Sequence, residues 1–532
     1  MASPTTNAIP APTVATDEAP ARIVQAAFWL TATLLLVRLV LAGQFDLFFD
    51  EAYYWLWSTH LQPSYYDHPG MVAYFMAAGT ALFGDTEFGV RVVGILSGAV
   101  DAVLIFAITA RIFGSRRAAA WAMIFMNVNT VSALSVVMLP DQPMILFWLL
   151  SLYGMARLAT GGHGAWWLLV GFAGGLAADA KLTTLVLALA VPLWLVLVPA
   201  MRRAFRTPWL YAGAAAAVIA VLPVALWNAE NDWITVTFQF NREGFGFAEA
   251  RVDGFIQYLT LFPLMATPPI FILSVIGYCL IGGRGWRLEP GRALLLLTPL
   301  PLGLYFAWHS FGEWVGTHWI APLVVLLTIP AGYAAAFLRP GFWGRTARVS
   351  RAIAAPFGLG LTSIFYFAVA ESFLQVPLRW DATERFRGYA EFAADAEAQR
   401  AEHGAAYILA PDYSTPAYLR FYLGRDEPAY HLRDSARWTY FGGPGQPPAE
   451  LAGAAGLYIG RLSADIEERR IGRYFDSIVR VDDTVRLIRP GVVIEYPTWL
   501  VSDPRRDVDE LFAPAVMQEP AEGGPPAAGE GG

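Results

Sequence analysis

Apolar runs long enough to cross a bilayer recur through the first 371 residues, and no other feature limits the fold so strongly. Hydrocarbon offers no partner to backbone N–H and C=O groups, so a crossing segment must pair its own, and a helix needs about 20 apolar residues to do so. With 56% hydrophobic and 15% charged residues and a mean hydropathy of +0.43, the chain of 532 residues has too little polar surface for a soluble protein. It reads as an α-helical polytopic membrane protein of about 11–13 transmembrane helices.

Arginine sets the direction of the spans. Residues 23–43, 88–110, 118–139, 144–157, 166–178, 182–198, 209–227, 255–281, 294–308, 315–337 and 352–370 read as crossings. The loops between them alternate. One set carries clustered arginine, as at Arg116 and Arg117, Arg202 and Arg203, Arg287 and Arg292, or Arg345 and Arg348; the other carries Asp, Glu, His and Trp. The positive-inside rule makes the arginine face cytoplasmic, which puts the N-terminus inside and the acidic loops outside. Residues 71–83 are short for a span and are expected to be juxtamembrane or re-entrant; if they crossed, arginine would collect on the outer face. Residues 1–22, rich in Ala, Pro and Thr, read as a disordered cytoplasmic tail, and 23–43 as an uncleaved signal anchor.

The first outer loop, residues 44–87, gathers Asp46, Asp50, Glu51, Asp67 and His68 among aromatics that include Tyr53, Tyr54 and Tyr66. Carboxylates in a partly desolvated loop act as general bases or hold a divalent cation. The plainer alternative is interfacial charge within an aromatic belt. The same face is expected to hold Asp141, Lys181, Glu230, Asp232, His309, Glu313 and His318. Lys181 is the sole lysine in the chain; it suits a phosphate as a point charge, or else pairs with Asp179 or snorkels. Asp141, between Pro140 and the pair Gln142-Pro143, could equally cap a helix. The spacing of His309, Glu313 and His318 matches no tight metal motif. Arg38 lies inside the first span, about two to three turns below the loop, where arginine either snorkels or reaches a site.

After residue 371 the composition turns polar. Helical patterns at 384–400, 416–422 and 465–474, with strand patterns at 406–410, 457–459 and 478–481, predict a small α/β domain over 372–512 on the outer side. Residues 513–532, rich in Pro, Gly and Glu, are expected to be disordered. Cys279 is the only cysteine, which excludes a disulfide framework and a thiolate metal site. A net charge of −7 argues against nucleic acid as a partner. Gly161-Gly162-His163-Gly164 lacks the strand and helix context of a phosphate loop.

The segment Asp50-Glu51-Ala52-Tyr53-Tyr54-Trp55, followed by Tyr65-Tyr66-Asp67-His68-Pro69, resembles the first external loop of membrane glycosyltransferases of the GT-C type. Within these it is similar to bacterial members of the protein O-mannosyltransferase-like superfamily, which includes the lipid A aminoarabinose transferases. Pro140-Asp141-Gln142-Pro143, Ala180-Lys181-Leu182-Thr183 and Gly316-Thr317-His318-Trp319-Ile320-Ala321-Pro322 agree in order. The resemblance implies a GT-C domain over 23–371 and transfer of a sugar from a polyprenyl-phosphate donor to a lipid, glycan or protein acceptor. The reaction would take place at the outer face of the bacterial inner membrane, by a single inverting displacement. It implies Asp50 as base, supported by Glu51 and Asp67, with Lys181, His68, Arg38 and His318 toward the donor phosphate. Tyr53, Tyr54, Tyr66, Asp141, His309 and Glu313 would surround the substrates. No cofactor is required, and a divalent cation stays open. Two departures stand out: Pro69-Gly70 replaces a pair of prolines, while Tyr53 and His68 replace an arginine and a lysine of the aminoarabinose transferases. The competing readings are a flippase for a lipid-linked saccharide and a non-catalytic envelope scaffold. A transporter is expected to bind near the bilayer midplane, whereas these polar groups gather at one face.

Overall fold

The structure is a computed structural model that describes residues 21–242, 252–283, 285–338, 340–371, 377–432, 436–441, 443 and 453–505. The expected tail at 513–532, and all but the last two residues of that at 1–22, lie outside the described residues. Helix α1 (Ala21–Leu41) leads into the acidic loop, which itself folds into α2 (Phe49–Ser58) and α3 (Met71–Phe83). Helix α4 (Glu87–Phe113) starts at Thr86, whose hydroxyl caps the Gly89 N–H, and stops at Gly114 in the left-handed conformation. Then come α5 (Arg116–Val128), α6 (Thr130–Leu134), α7 (Asp141–Ala159), α8 (Trp166–Ala180), α9 (Thr183–Ala188) and α10 (Ala190–Leu197). The membrane part closes with α11 (Pro208–Glu230), α12 (Ile234–Arg242), α13 (Val252–Ala266), α14 (Pro268–Ile281), α15 (Pro290–Leu297), α16 (Leu300–His309), α17 (Ala321–Ala336) and α18 (Phe342–Glu371).

Five stretches among the described residues have the length and apolarity of a membrane span: α1, α4, α11, the continuous Pro290–His309, and α18. Two bent pairs raise the number to seven at most, with α3, α8 and α17 as shorter apolar helices. The sequence-based count of about 11–13 rests on apolar runs, and several of those runs break. The run 118–139 divides at Asn129 and leaves helical geometry after α6. The run 255–281, expected to be one span, turns by 104° between α13 and α14. Thr267 stands at that turn with φ +69°, ahead of Pro268-Pro269. A residue before proline is pushed out of the α region, and the proline nitrogen cannot continue the ladder. The bilayer face of α11 exposes Val218, Ile219, Leu222 and Leu226, where a soluble protein would carry charge. Its other face meets α8 so closely that a Cβ on Gly171 would lie 1.7 Å from the Gly213 carbonyl oxygen.

Helix α4 runs from the acidic loop to the arginine face. Arg91 sits near its start, and Arg111 near its end donates to Thr160 at 2.7 Å. Arg117, Arg348 and Arg351 lie close together at that same arginine end, after α4 and around the start of α18.

The soluble domain consists of α19 (Tyr389–Glu402), β1 (Tyr407–Ala410), α20 (Ser414–Leu423), β2 (Ala429–His431), α21 (Ala436–Thr439), β3 (Gly456–Ile459), α22 (Ala464–Ile471), β4 (Phe475–Arg480), β5 (Thr484–Arg489), β6 (Val492–Tyr496) and β7 (Thr498–Pro504). The main sheet has the order β2-β1-β3-β7-β4, parallel from β2 to β3 and antiparallel through β7 and β4, while β5 and β6 form a hairpin. Along β1, Tyr407 and Leu409 enter one core and Ile408 the other, as the two-residue period of a sheet covered on both faces requires. A further core joins the two parts of the chain: Tyr53, Trp55 and Trp57 of α2 pack with Tyr418 and Phe421 of α20 and with Trp438 of α21.

The loop is anchored by one ion pair with no solvent exposure on either partner, Glu51 to Arg91, at 2.7 Å. Arg91 also donates to the carbonyls of Ala42, Phe45 and Asp46 at 2.7–2.9 Å. Glu51 in turn accepts from the backbone N–H of Phe48 and of Met138. Four segments, the end of α1, the start of α2, α4 and the turn before α7, are thereby fixed to one another. Removing one partner of such a pair leaves a buried charge, at a cost of about 3–5 kcal/mol. Thermal denaturation of Arg91→Ala in detergent should show a loss of that order; a loss below about 1 kcal/mol, the scale of a surface pair, would show that the pair does not hold the loop.

Candidate active site

Asp50 and Glu51 occupy the first turn of α2, where the helix dipole favours carboxylates. Their environments differ completely. The Glu51 carboxylate takes Arg91 Nε at 2.9 Å and Nη2 at 2.7 Å, together with the Phe48 and Met138 N–H groups, so its roughly four acceptor sites are filled. The Glu51 carboxylate is therefore committed to protein partners that position the loop, a supporting place and not one in contact with substrate. Asp50 points elsewhere, is half-buried, and accepts the hydroxyl of Tyr413 from the soluble domain at 3.2 Å.

The second half of the motif is a tight turn. Ser64 bridges to Pro69, and the Tyr65 N–H donates to the His68 carbonyl, which puts Asp67 at the tip. Gly70 has a reason here: its N–H donates to the Pro63 carbonyl, and a Cβ would lie 2.3 Å from the Gln62 carbonyl oxygen. A second proline could make neither contact. Asp67 is buried and receives Arg437 Nε on both oxygens, at 2.8 and 3.0 Å. Burial disfavours the charge of Arg437, and Asp67, Tyr413 and Tyr53 beside it more than offset that. The guanidinium lies 4.8 Å from the ring centre of Tyr413, 5.4 Å from Phe238 and 6.0 Å from Tyr66. Helix α12 also reaches the turn through Gln239, which donates to the Asp67 carbonyl and lies 3.5 Å from His68 Nδ1. Tyr54 completes the wall between Tyr53 and the His68 ring.

The soluble domain grips the loop at further points. Tyr418 donates to the Leu47 carbonyl and the Leu47 N–H donates to Tyr422, both at 3.1 Å. Asp46 accepts the Tyr389 N–H at the start of α19 at 2.7 Å. Asp85 takes Trp55 at 2.9 Å and Arg425 at 2.7 Å. Asp412 holds Tyr413 in place by capping the Ser414 and Thr415 N–H groups, each at 2.9 Å, at the head of α20.

The remaining expected residues fall into separate groups. Lys181 pairs with Asp141, 3.0 and 3.1 Å to the two oxygens, and both are buried; the partner is Asp141, not Asp179. Arg38 is buried in the bundle, where it donates to Tyr366 at 3.0 Å and Ser132 at 2.9 Å, so it is committed below the loop. His309 is buried between Tyr305 and Trp319, and Trp319 also carries His318 on its edge. Glu313 and His318 are exposed. Among the described residues no three His, Cys, Asp or Glu side chains converge as metal ligands, and Asp67 gives both oxygens to an arginine. These residues do not fit a metal centre.

Residues 67–227 match the family described as dolichyl-phosphate-mannose-protein mannosyltransferase. The chain is 28% identical over 392 residues to lipid A galacturonosyltransferase RgtD of Rhizobium johnstonii, covering 72% of this chain and 78% of that protein. It is 30% identical over 271 residues to undecaprenyl phosphate-alpha-4-amino-4-deoxy-L-arabinose arabinosyl transferase 1 of Sodalis glossinidius, covering 48% and 47%. The crystal structure of ArnT from Cupriavidus metallidurans bound to undecaprenyl phosphate superposes with a TM-score of 0.64 at 16% identity, over 91% of this chain and 99% of that one. Together these likenesses support a membrane glycosyltransferase with the GT-C fold.

Three residues of this glycosyltransferase site escaped the sequence reading: Arg91, Tyr413 and Arg437. Arg91 left a signal, an arginine near the start of a largely apolar span. Tyr413 and Arg437 left none, because each reaches the loop across more than 360 positions of sequence.

Burial pushes the Asp46 carboxyl up to about 6 from its usual 3.8, against the Tyr389 N–H that lowers it. The folded glycosyltransferase thus binds this proton more tightly than the unfolded chain, so the group's contribution to stability is full at acid pH and falls as pH rises from about 4 to about 6. Asp46→Asn should stabilise the protein at pH 8 by up to about 3 kcal/mol, with the gain fading near pH 4. Melting curves at the two pH values test this, and an equal gain at both would contradict it.

Proposed function

We propose that this glycosyltransferase moves a sugar from a polyprenyl-phosphate donor to lipid A or lipopolysaccharide at the periplasmic face of the bacterial inner membrane, with Asp50 as general base. The observation that carries the assignment is the contrast within the loop. Glu51 is saturated and Asp67 is held by Arg437, while Asp50 sits half-buried at a helix N-terminus with a tyrosine hydroxyl orienting it. The donor class follows the name of the Sodalis glossinidius relative, and the acceptor follows that of the Rhizobium johnstonii relative. The orientation follows the arginine-rich ends, which by the positive-inside rule lie in the cytoplasm with the N-terminus. The acidic loop and the soluble domain are then periplasmic.

In this reading the acceptor hydroxyl oxygen attacks the anomeric carbon from the face opposite the phosphate. The bond from that carbon to the phosphate oxygen breaks, and its electron pair leaves with the phosphate on its lipid. Asp50 takes the acceptor proton, and the configuration inverts. The lipid chain stays in the bilayer while the charge that develops on the phosphate needs fixed positive groups at the interface. Lys181 with its Asp141 partner, and His68 beside Asp67, are the groups of the membrane part proposed for that side. Tyr53, Tyr54 and Tyr66 wall the space where the sugar would lie.

Purified Asp50→Asn protein assayed with a polyprenyl-phosphate sugar should lose at least about 100-fold in turnover while keeping its melting temperature. An unchanged rate would rule out Asp50 as the base.

A further inference from the structure

The positive charges near the loop are not equivalent. Arg91 donates from Nε, Nη1 and Nη2 to Glu51 and three carbonyls. Arg38 is bonded inside the bundle and Lys181 is neutralised by Asp141. Arg437 differs in origin and setting. It comes from the soluble domain, meets Asp67 through Nε, and has three aromatic rings around it. A second observation bears on the same place. The Tyr53 hydroxyl, on a side chain only 1% exposed, is directed at Asp67 beside Arg437 and has no other hydrogen-bond partner among the described residues.

We propose that Arg437 binds the donor phosphate from the side of the soluble domain, in addition to the groups of the membrane part, and that its pairing with Asp67 is the donor-free arrangement of the site. The proposal rests on the polyprenyl-phosphate reading above. A guanidinium presents two parallel N–H donors to phosphate, and does so with more geometric specificity than an ammonium. The incoming phosphate takes the guanidinium from Asp67, and the Tyr53 hydroxyl is the donor at hand for the released carboxylate. When the sugar leaves, the phosphate gains negative charge in contact with Arg437, so the interaction strengthens in the transition state. The soluble domain thereby supplies a binding residue of the site and is more than a cover over it.

Binding of undecaprenyl phosphate to the full-length protein in detergent, followed by tryptophan fluorescence, separates the possibilities. Arg437→Ala should weaken binding at least about 10-fold, and Arg437→Lys by less. Asp67→Asn, which removes the competitor, should tighten binding. A purely structural latch between loop and domain predicts the opposite for Asp67→Asn, because both substitutions would loosen the same contact. Unchanged affinity in Arg437→Ala, or weakened or unchanged affinity in Asp67→Asn, overturns the proposal while leaving the donor reading intact. Failure of the wild-type protein to bind undecaprenyl phosphate overturns both. If Arg437→Ala does not fold, Arg437→Lys and Asp67→Asn decide the question by the same readout.

Discussion

A carboxylate and a guanidinium shut away from water persist only where every charge and hydrogen bond is answered, because desolvation of each ion costs several kcal/mol. Glu51 and Arg91 meet that demand by drawing in backbone groups from the end of α1, the start of α2 and the turn before α7. A residue deep in the site thus fixes the register of the segments around it. Asp50, one position earlier on the same helix turn, is rotated by about 100° from Glu51 and escapes this network. Helix geometry turns one of two adjacent carboxylates toward Arg91 and the other toward Tyr413.

The second constraint is that the loop does not bury its aromatic residues by itself. Its aromatic residues bury against α20 and α21 of the soluble domain, so the acidic loop and that domain share one hydrophobic core. Hydrogen bonds at Asp46 and Leu47, and ion pairs at Asp67 and Asp85, fasten the same contact. This arrangement explains why Tyr413 and Arg437 can meet Asp50 and Asp67 with defined geometry. The membrane domain supplies the carboxylates, and the soluble domain supplies the groups that orient and neutralise them.

The sequence makes some of this legible and hides the rest for identifiable reasons. Apolar run length and arginine placement report the bilayer directly, so the membrane class is legible in the amino-acid order alone. The motif around Asp50 and Asp67 marks the loop because carboxylates and aromatics beside a span are costly to place. The helix break at Asn129 leaves no such mark, since an apolar run reads the same whether it crosses once or bends, and the one at Thr267 is marked only by Pro268-Pro269, which a count of apolar run length passes over. The division of labour between Asp50 and Glu51 depends on the distant Arg91, and the partner of Lys181 is 40 residues away at Asp141. Pairing across the fold has no periodicity that a linear reading can detect. The soluble domain's helices α19, α20 and α22 and strands β1, β3 and β4 are visible in outline. Strands β2, β5, β6 and β7 are not, because β2 is a three-residue edge and β5 and β6 form a partly exposed hairpin.

The roles of Asp50 and Arg437 meet in a single measurement, a structure of the Asp50→Asn protein with an intact polyprenyl-phosphate sugar bound. The expected result is an anomeric carbon facing residue 50, with room for an acceptor oxygen within hydrogen-bonding reach of it, about 2.6–3.2 Å, and a phosphate on the side of Arg437 with Asp67 displaced from the guanidinium. A donor whose anomeric carbon lies away from residue 50 would contradict the role of Asp50, and a phosphate that leaves the pair of Arg437 and Asp67 intact would contradict the role of Arg437.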